Sequence, residues 1–214
     1  MIKPTKEFWG IFKNINGALS CTEAVAIMNL AAQAPKGFYA EYGVYKGKSA
    51  ISALYGFGER DGVFYLVEPE LKNEGWANEL WSVISKANGI IGSKIKINLV
   101  PDYSTNVIEK LGDCSYVMID SGSHQDGLPM QEVKLLEDRM VEGGIIAFHD
   151  WNSQFSEVKE ASDYLVGTGK YEYIPINWDE IIEYVNSENL EESNRSWHHN
   201  ELRNPCFVGA VKRK

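Results

Sequence analysis

Two rhythms of apolar and polar positions run along this chain. Residues 5–16 and 22–33 repeat at helical spacing, with Ser20 or Thr22 placed to cap the second helix and Glu23 in its first turn. GFYAEYGV (37–44) is a short apolar run with aromatics and reads as a strand; KSAISALYGFG follows it as a helix. VFYLVEPE (63–70), KIKINLV (94–100), SYVMID (115–120), GGIIAFHD (143–150), YEYIPIN (171–177) and CFVGAVKRK (206–214) read as further strands. Residues 73–87, 104–112, 129–141 and 156–167 read as helices, the third with Leu135, Leu136 and Met140 turned inward. Strands and helices alternate through most of the chain. That predicts an α/β fold with three layers, Rossmann-like, around a mostly parallel seven-stranded sheet. The helical segment 1–36 precedes this 37–214 domain and is expected to pack over its site or to mediate a homo-oligomer. Residues 178–204 are polar and acidic, break the rhythm, and are a candidate substrate lid.

Composition narrows the picture. The 214 residues suffice for one α/β domain with a full core and are few for two. A net charge of -9 argues against nucleic acid as a partner, since phosphate binding needs a surplus of Lys and Arg on one face. No apolar run approaches a membrane span, and MIKPTKEFWG has no apolar core long enough for a secretory signal. Cys21, Cys114 and Cys206 are odd in number and widely spaced, which suits reduced thiols in a cytoplasmic protein.

In a parallel sheet the ligand sits beyond the C-terminal strand ends. Glu41 with Gly43, Glu68, Asp102, Asp120, and His149 with Asp150 stand at those ends, so each carries an acid. Such a site suits ribose hydroxyls, an amine or a bound cation better than a bare triphosphate. The turn after the first strand, "FYAEYGVYKGKSA", admits three readings. A phosphate loop ending in Gly47-Lys48-Ser49 needs a glycine at 42, where Tyr42 stands. The dinucleotide pattern GxGxxG also fails, because Gly43 and Gly47 are four apart. The remaining pattern, E-x-G-x-x-x-G, fits S-adenosylmethionine. Glu41 faces its amine, Gly43 and Gly47 let ligand and helix come close, and Ser49 with the free N–H groups of its helix takes the carboxylate. Glu68 takes the ribose diol, with Glu70 as its competitor. Asp102, Tyr103 and Ser104 build an adenine slot, or cap the short helix behind them.

"AEYGVYKGKSA", "YLVEPE", "YVMIDSGSH" and "GGIIAFHD", in that order on strand ends, resemble the successive motifs of class I S-adenosylmethionine-dependent methyltransferases, and "FVGAVKR" resembles their last strand. The branch they resemble is that of small-molecule O-methyltransferases, such as the macrolide-sugar and cephalosporin-biosynthesis enzymes. The resemblance covers residues 37 to 150 and implies methyl transfer to a hydroxyl of a small molecule in a methyltransferase fold. Asp120 to His124 spans four positions where the branch has three, and His149-Asp150 stands where metal-dependent members carry two acids. A high-pKa hydroxyl needs a base or a cation. His124 is the candidate base and His149 the alternative. Asp120, His149 and Asp150 are the candidate ligands for magnesium or manganese, with Asp120 also beside the cofactor. A non-catalytic module of the same fold is the alternative from outside catalysis. Trp151 either lines the pocket or seals it. His198 and His199, adjacent in sequence, are read as an exposed loop.

Overall fold

The computed structural model describes residues 1–122, 124, 126–151, 155–190 and 208–214. Seven strands form one sheet in the order β3-β2-β1-β4-β5-β7-β6. They are β1 (Phe38–Tyr42), β2 (Asp61–Val67), β3 (Lys94–Val100), β4 (Cys114–Ile119), β5 (Met140–Phe148), β6 (Tyr171–Tyr173) and β7 (Gly209–Arg213). The pairs among β1 to β5 are parallel, and β7 runs antiparallel to both β5 and β6. Chain order runs outward from β1 through β2 to β3, then resumes at β4 on the other side of β1. The sheet therefore reverses direction between β1 and β4, and the crevice at that switch point is where ligands sit in such sheets.

The strands bury both faces, which is why they read as near-continuous apolar runs. Tyr39, Tyr116, Met118, Ile145 and Ala147 point into one core, while Ala40, Tyr42, Val117, Ile119, Ile146 and Phe148 point into the other. The first core takes α1 (Lys6–Lys13), α2 (Cys21–Gln33), α3 (Lys48–Phe57), α4 (Glu74–Ile91) and α8 (Trp178–Ser187). The second takes α5 (Ser104–Val107), α6 (Leu128–Leu136) and α7 (Ser156–Gly167). Residues 1–36 are thus part of the first core, through Phe8, Phe12, Val25, Ile27 and Met28. A capping box starts α2: Glu23 N–H donates to Ser20 Oγ and Ser20 N–H donates to Glu23 Oε2, at 3.2 and 2.7 Å.

Several boundaries move. The helix read to 141 ends at Leu136, and Met140 opens β5 instead. That strand carries Gly143 and Gly144 inside it, where the β4–β5 register shifts between Cys114 and Tyr116. A Cβ on Gly144 would stand 2.8 Å from Val141 O and 3.1 Å from Cys114 O, so the irregular pairing requires it. The run 171–177 pairs only over Tyr171–Tyr173. Helix 104–112 breaks after Val107 into a 3-10 turn, Ile108–Lys110.

The polar segment 178–204 begins as a helix rather than a loop. In α8, Ile181, Tyr184 and Val185 are buried against α2, and Asn177 caps the start by accepting from Glu180 N–H at 3.4 Å. Residues 191–204 of the proposed lid, with His198 and His199, and also Cys206 beyond it, lie outside the described residues. Cys21 and Cys114 are buried thiols.

Candidate functional site

The turn after β1 is fixed by the chain itself. Gly43 has φ +81, and a Cβ there would lie 2.0 Å from the carbonyl oxygen of Asp120 and 2.8 Å from Ser121 Cα. So Gly43 is glycine because β1 and β4 end against each other at the switch point. Gly47 has φ +87, and its Cβ would meet only the tip of Leu80, at 2.6 Å. Glu68 clamps the turn. Its Oε2 accepts from the N–H of Val44 and Tyr45 at 3.2 and 3.1 Å, and its Oε1 accepts from Glu70 N–H at 3.3 Å. Glu68 is half-buried at the end of β2 and Glu70 is exposed, which separates the two acids the sequence left in competition.

Lys48 does not face this turn. Its Nζ donates to the carbonyls of Gly17 and Leu19 at 3.2 and 3.3 Å, and burial pushes its pKa down. A phosphate loop would need that ammonium on the ligand. Ser49 donates its hydroxyl to Glu41 Oε1 at 2.6 Å, so the proton offered to a ligand carboxylate is already used. Glu41 is fully buried, and its Oε2 has no hydrogen-bond partner among the described residues. Burial raises its carboxyl well above the ordinary range, despite the bond from Ser49, and the Asp120 charge adds to the rise. An orphaned acid oxygen at the switch point fits a ligand amine or other cation.

At the neighbouring strand end, Asp102 Oδ1 accepts from Tyr103 N–H and from Asn106 Nδ2, both at 2.8 Å. Those bonds hold its pKa low and make it a local cap. Tyr103 is 60% exposed, with Lys72 Nζ over its ring at 5.8 Å from the centroid. Ser104 is buried, and beneath it lies an acid that the sequence reading missed. Glu132 of α6 is fully buried; Ser121 Oγ donates to its Oε1, its Oε2 is unpartnered among the described residues, and the nearby Ser104 hydroxyl tempers the rise of its pKa. Burial pushes the Glu132 carboxyl up to about 7. A readable signal existed: Pro129, Glu132, Val133 and Leu136 share one buried face, so an acid stands on an apolar stripe.

The acids and histidines after β4 and β5 do come together. His149 Nδ1 lies 3.0 Å from Asp150 Oδ2 and 3.3 Å from Asp120 Oδ1. His124 Nε2 lies 3.0 Å from Asp150 Oδ2 and 3.7 Å from Asp120 Oδ1. The other side of His149 meets a second missed residue. Glu23 Oε1 is 3.4 Å from His149 Nε2, an ion-pair distance, although Nε2 makes no aligned hydrogen bond among the described residues. Glu23 read as a helix-start acid, yet it is only 3% exposed. Burial alone would lower the His149 imidazole, but Asp120, Asp150 and Glu23 outweigh it and raise its pKa well above the ordinary range. His124 is likewise raised against its burial, chiefly by Asp150. Burial would raise Asp150, but the two histidines hold it far below the usual carboxylate range. Asp150 also adopts φ +56, strained for a non-glycine residue, which turns its carboxylate back over the strand end.

This donor set fits a divalent cation. One atom each from Asp120, His149 and Asp150 lies within 4.8 Å of the others. Ligands at about 2.1 Å in an octahedral site stand about 3 Å apart along an edge, close to the spacing of His149 Nδ1 from the two carboxylates. One imidazole among carboxylates favours manganese over magnesium, which prefers oxygen alone. Trp151 stays outside the cluster: its Nε1 donates to Ser162 Oγ at 2.7 Å and its ring seals against Gly209. Among the described residues no helix is long and apolar enough to cross a membrane.

Over residues 40–151, more than half of the chain, the sequence matches the family described as a methyltransferase domain. No curated protein matches it. Among solved structures the chain is similar to an O-methyltransferase from Bacillus cereus in complex with SAH, with TM-score 0.61, 10% identity, and 100% of this chain and 93% of that chain covered. It is also similar to TomG, an O-methyltransferase from Streptomyces achromogenes involved in tomaymycin synthesis, in complex with SAM (TM-score 0.57, 11% identity, 82% and 84% covered). A precorrin-6y C5,15-methyltransferase from Geobacter metallireducens is similar too (TM-score 0.52, 14% identity, 72% and 74% covered). These proteins share the fold, while one is a C-methyltransferase by name and two are O-methyltransferases.

Proposed function

The chain belongs to this methyltransferase-domain family, and from that premise we propose that it moves the methyl group of S-adenosylmethionine to a hydroxyl of a small molecule, assisted by a divalent cation. The branch proposed is that of the small-molecule O-methyltransferases, the macrolide-sugar and cephalosporin-biosynthesis enzymes among them. The observation that carries the reading is the acid-lined crevice at the switch point. There the unpartnered Glu41 oxygen, Asp120 and the His149–Asp150 pair converge beside a turn closed by Gly43.

Each residue then has a task. Glu41 and Asp120 offer negative charge to a ligand amine and sulfonium. Glu68 holds the turn and presents its remaining acceptor capacity to the ribose. Ser104, steadied by Glu132, and Tyr103 bound the adenine slot. S-adenosylmethionine, when bound, would supply a methyl group whose carbon bonds to the acceptor oxygen in line as the C–S bond breaks, leaving S-adenosylhomocysteine. Asp120, His149 and Asp150 would hold a cation that makes the acceptor hydroxyl more acidic. His124, whose Nε2 faces Asp150 and Asp120, is proposed to take the proton of that hydroxyl once a cation occupies those carboxylates. His149 is less suited to the task, because carboxylates stand at both of its nitrogens. A small acceptor in the cytoplasm, rather than nucleic acid or membrane, accords with the net charge of -9.

The test is calorimetry with S-adenosylhomocysteine and with ATP, followed by labelled methyl transfer to a panel of phenols, catechols and sugar hydroxyls. Binding of the first ligand and not the second is expected, with turnover lost in EDTA and restored by manganese. ATP binding without S-adenosylhomocysteine binding would end the methyltransferase reading. Full turnover in excess EDTA would remove the cation and leave the transferase.

A further inference from the structure

Resting on the cation-assisted reading above, we infer that Glu23, in the helical segment outside the matched domain, is a positioning residue for His149 and makes α2 part of the cation site. Its carboxylate is placed to accept from Nε2–H when a cation binds at Nδ1, which lies between Asp120 and Asp150.

The argument starts from the two nitrogens. His149 Nδ1 faces Asp150 Oδ2 at 3.0 Å and Asp120 Oδ1 at 3.3 Å. Left to those two acids, the neutral ring would carry its proton on Nδ1 and could not ligate. A second acid at Nε2 lets the ring keep its proton there when a cation takes the place of the proton on Nδ1, because a ligating imidazole donates its other N–H to a carboxylate or carbonyl partner. Glu23 Oε1 stands there at an ion-pair distance of 3.4 Å, and Nε2 has no hydrogen-bond partner among the described residues. His149 is 8% exposed, so water does not readily replace that partner.

Glu23 is held for this task by its own helix. Its Oε2 accepts from the N–H and the hydroxyl of Ser20, at 2.7 and 2.8 Å, in the capping box. That grip turns the second oxygen, Oε1, toward His149. A capping box accepts glutamine as readily as glutamate at this position. The helix therefore does not require a buried charge here, at 3% exposure; that charge serves His149 and the buried Lys48 ammonium.

The cap and the imidazole can be separated by mutation. Glu23→Gln keeps the capping geometry and removes the charge facing Nε2. Ser20→Ala removes the cap and leaves the acid in place. Manganese chloride is titrated into the chelator-stripped full chain by calorimetry, with S-adenosylhomocysteine binding measured on each variant as the check on folding. Glu23→Gln is expected to weaken manganese binding by about 10- to 100-fold, with S-adenosylhomocysteine affinity near that of the parent. Ser20→Ala is expected to lower the melting temperature and to leave manganese affinity nearly unchanged. If Glu23→Gln fails to fold, Glu23→Ala is titrated in its place, with Ser20→Ala as the control for the lost cap. Manganese binding by the glutamine variant equal to the parent's overturns the inference, and so does an equal loss in Ser20→Ala. A parent protein that binds S-adenosylhomocysteine but no manganese removes the cation site and this inference together, while the methyltransferase reading stands.

Discussion

Replacing Glu132 with glutamine should stabilise the protein, and increasingly so as the pH rises. The side chain is fully buried, one oxygen takes the Ser121 hydroxyl, and the other has no partner among the described residues. Burial lifts its carboxyl from an ordinary 4.5 to about 7. Because the folded-state pKa is the higher one, the folded protein prefers the protonated acid. The contribution to stability is fully present below about pH 4.5 and is lost as the pH rises to about 7. At roughly 1.4 kcal/mol per tenfold, ionising Glu132 in the folded state costs about 3 kcal/mol at pH 8. Glutamine keeps an acceptor for Ser121 and has no such cost. Urea unfolding of both proteins at pH 5, 6, 7 and 8 gives the difference directly, since every other titrating group cancels between them. The stability gap should be small at pH 5 and should widen to about 3 kcal/mol by pH 8. Parallel stability curves over that range would mean that Glu132 stays ionised in the folded state at an ordinary cost, and the burial argument would fail.

Two further substitutions test the turn. Gly43→Ala should cost about 2–4 kcal/mol, because left-handed strain adds to a collision with the Asp120 carbonyl. Gly92→Ala is its control: φ is +69 and ψ +25, and nothing lies within 4 Å, so the left-handed strain stands alone at about 1 kcal/mol. Equal losses in urea unfolding would show that the switch point is not closed by that contact. Glu68→Ala should weaken S-adenosylhomocysteine binding by about 10- to 100-fold, since the turn loses its clamp and the ribose its acceptor. Glu70→Ala should change it little, and calorimetry giving one affinity for both would point to the wrong acid.

The fold was legible because its strands are buried on both faces. KIKINLV and SEVKEASDYLVG stand as strand and helix where their periodicity put them, Lys94–Val100 and Ser156–Gly167. The reading failed where tertiary contact overrides local pattern. Met140 continues the helical spacing of 129–136, yet Arg139 N–H closes the helix on Leu136 O at 2.8 Å and its carbonyl accepts from Cys114 N–H at 2.7 Å, starting the strand. The helix α8 was hidden by composition. Asp179, Glu180 and Glu183 give the segment a polar average, although Ile181, Tyr184 and Val185 share one buried side.

The site was legible to the extent that it lies on strand ends. Asp120, His149 and Asp150 end β4 and β5, neighbours in the sheet, so their meeting followed once the strands were assigned. Glu23 and Glu132 come from helices on opposite faces of the sheet, and no spacing along the chain relates either to the strand ends they support. What the sequence did carry was an anomaly at each position: a single acid within the apolar run CTEAVAIMNLAA, and one on the buried stripe of LPMQEVKLL. A carboxylate is rarely left in such a place without a partner. In both cases the partner belongs to the crevice, with His149 for Glu23 and Ser104 with Ser121 for Glu132. The strand ends thus present the groups that would meet a ligand, while the helices on each face supply the buried acids that aim them. Searching a strand-end site for its second layer therefore starts from charged residues on apolar helix faces, and not from the motifs themselves.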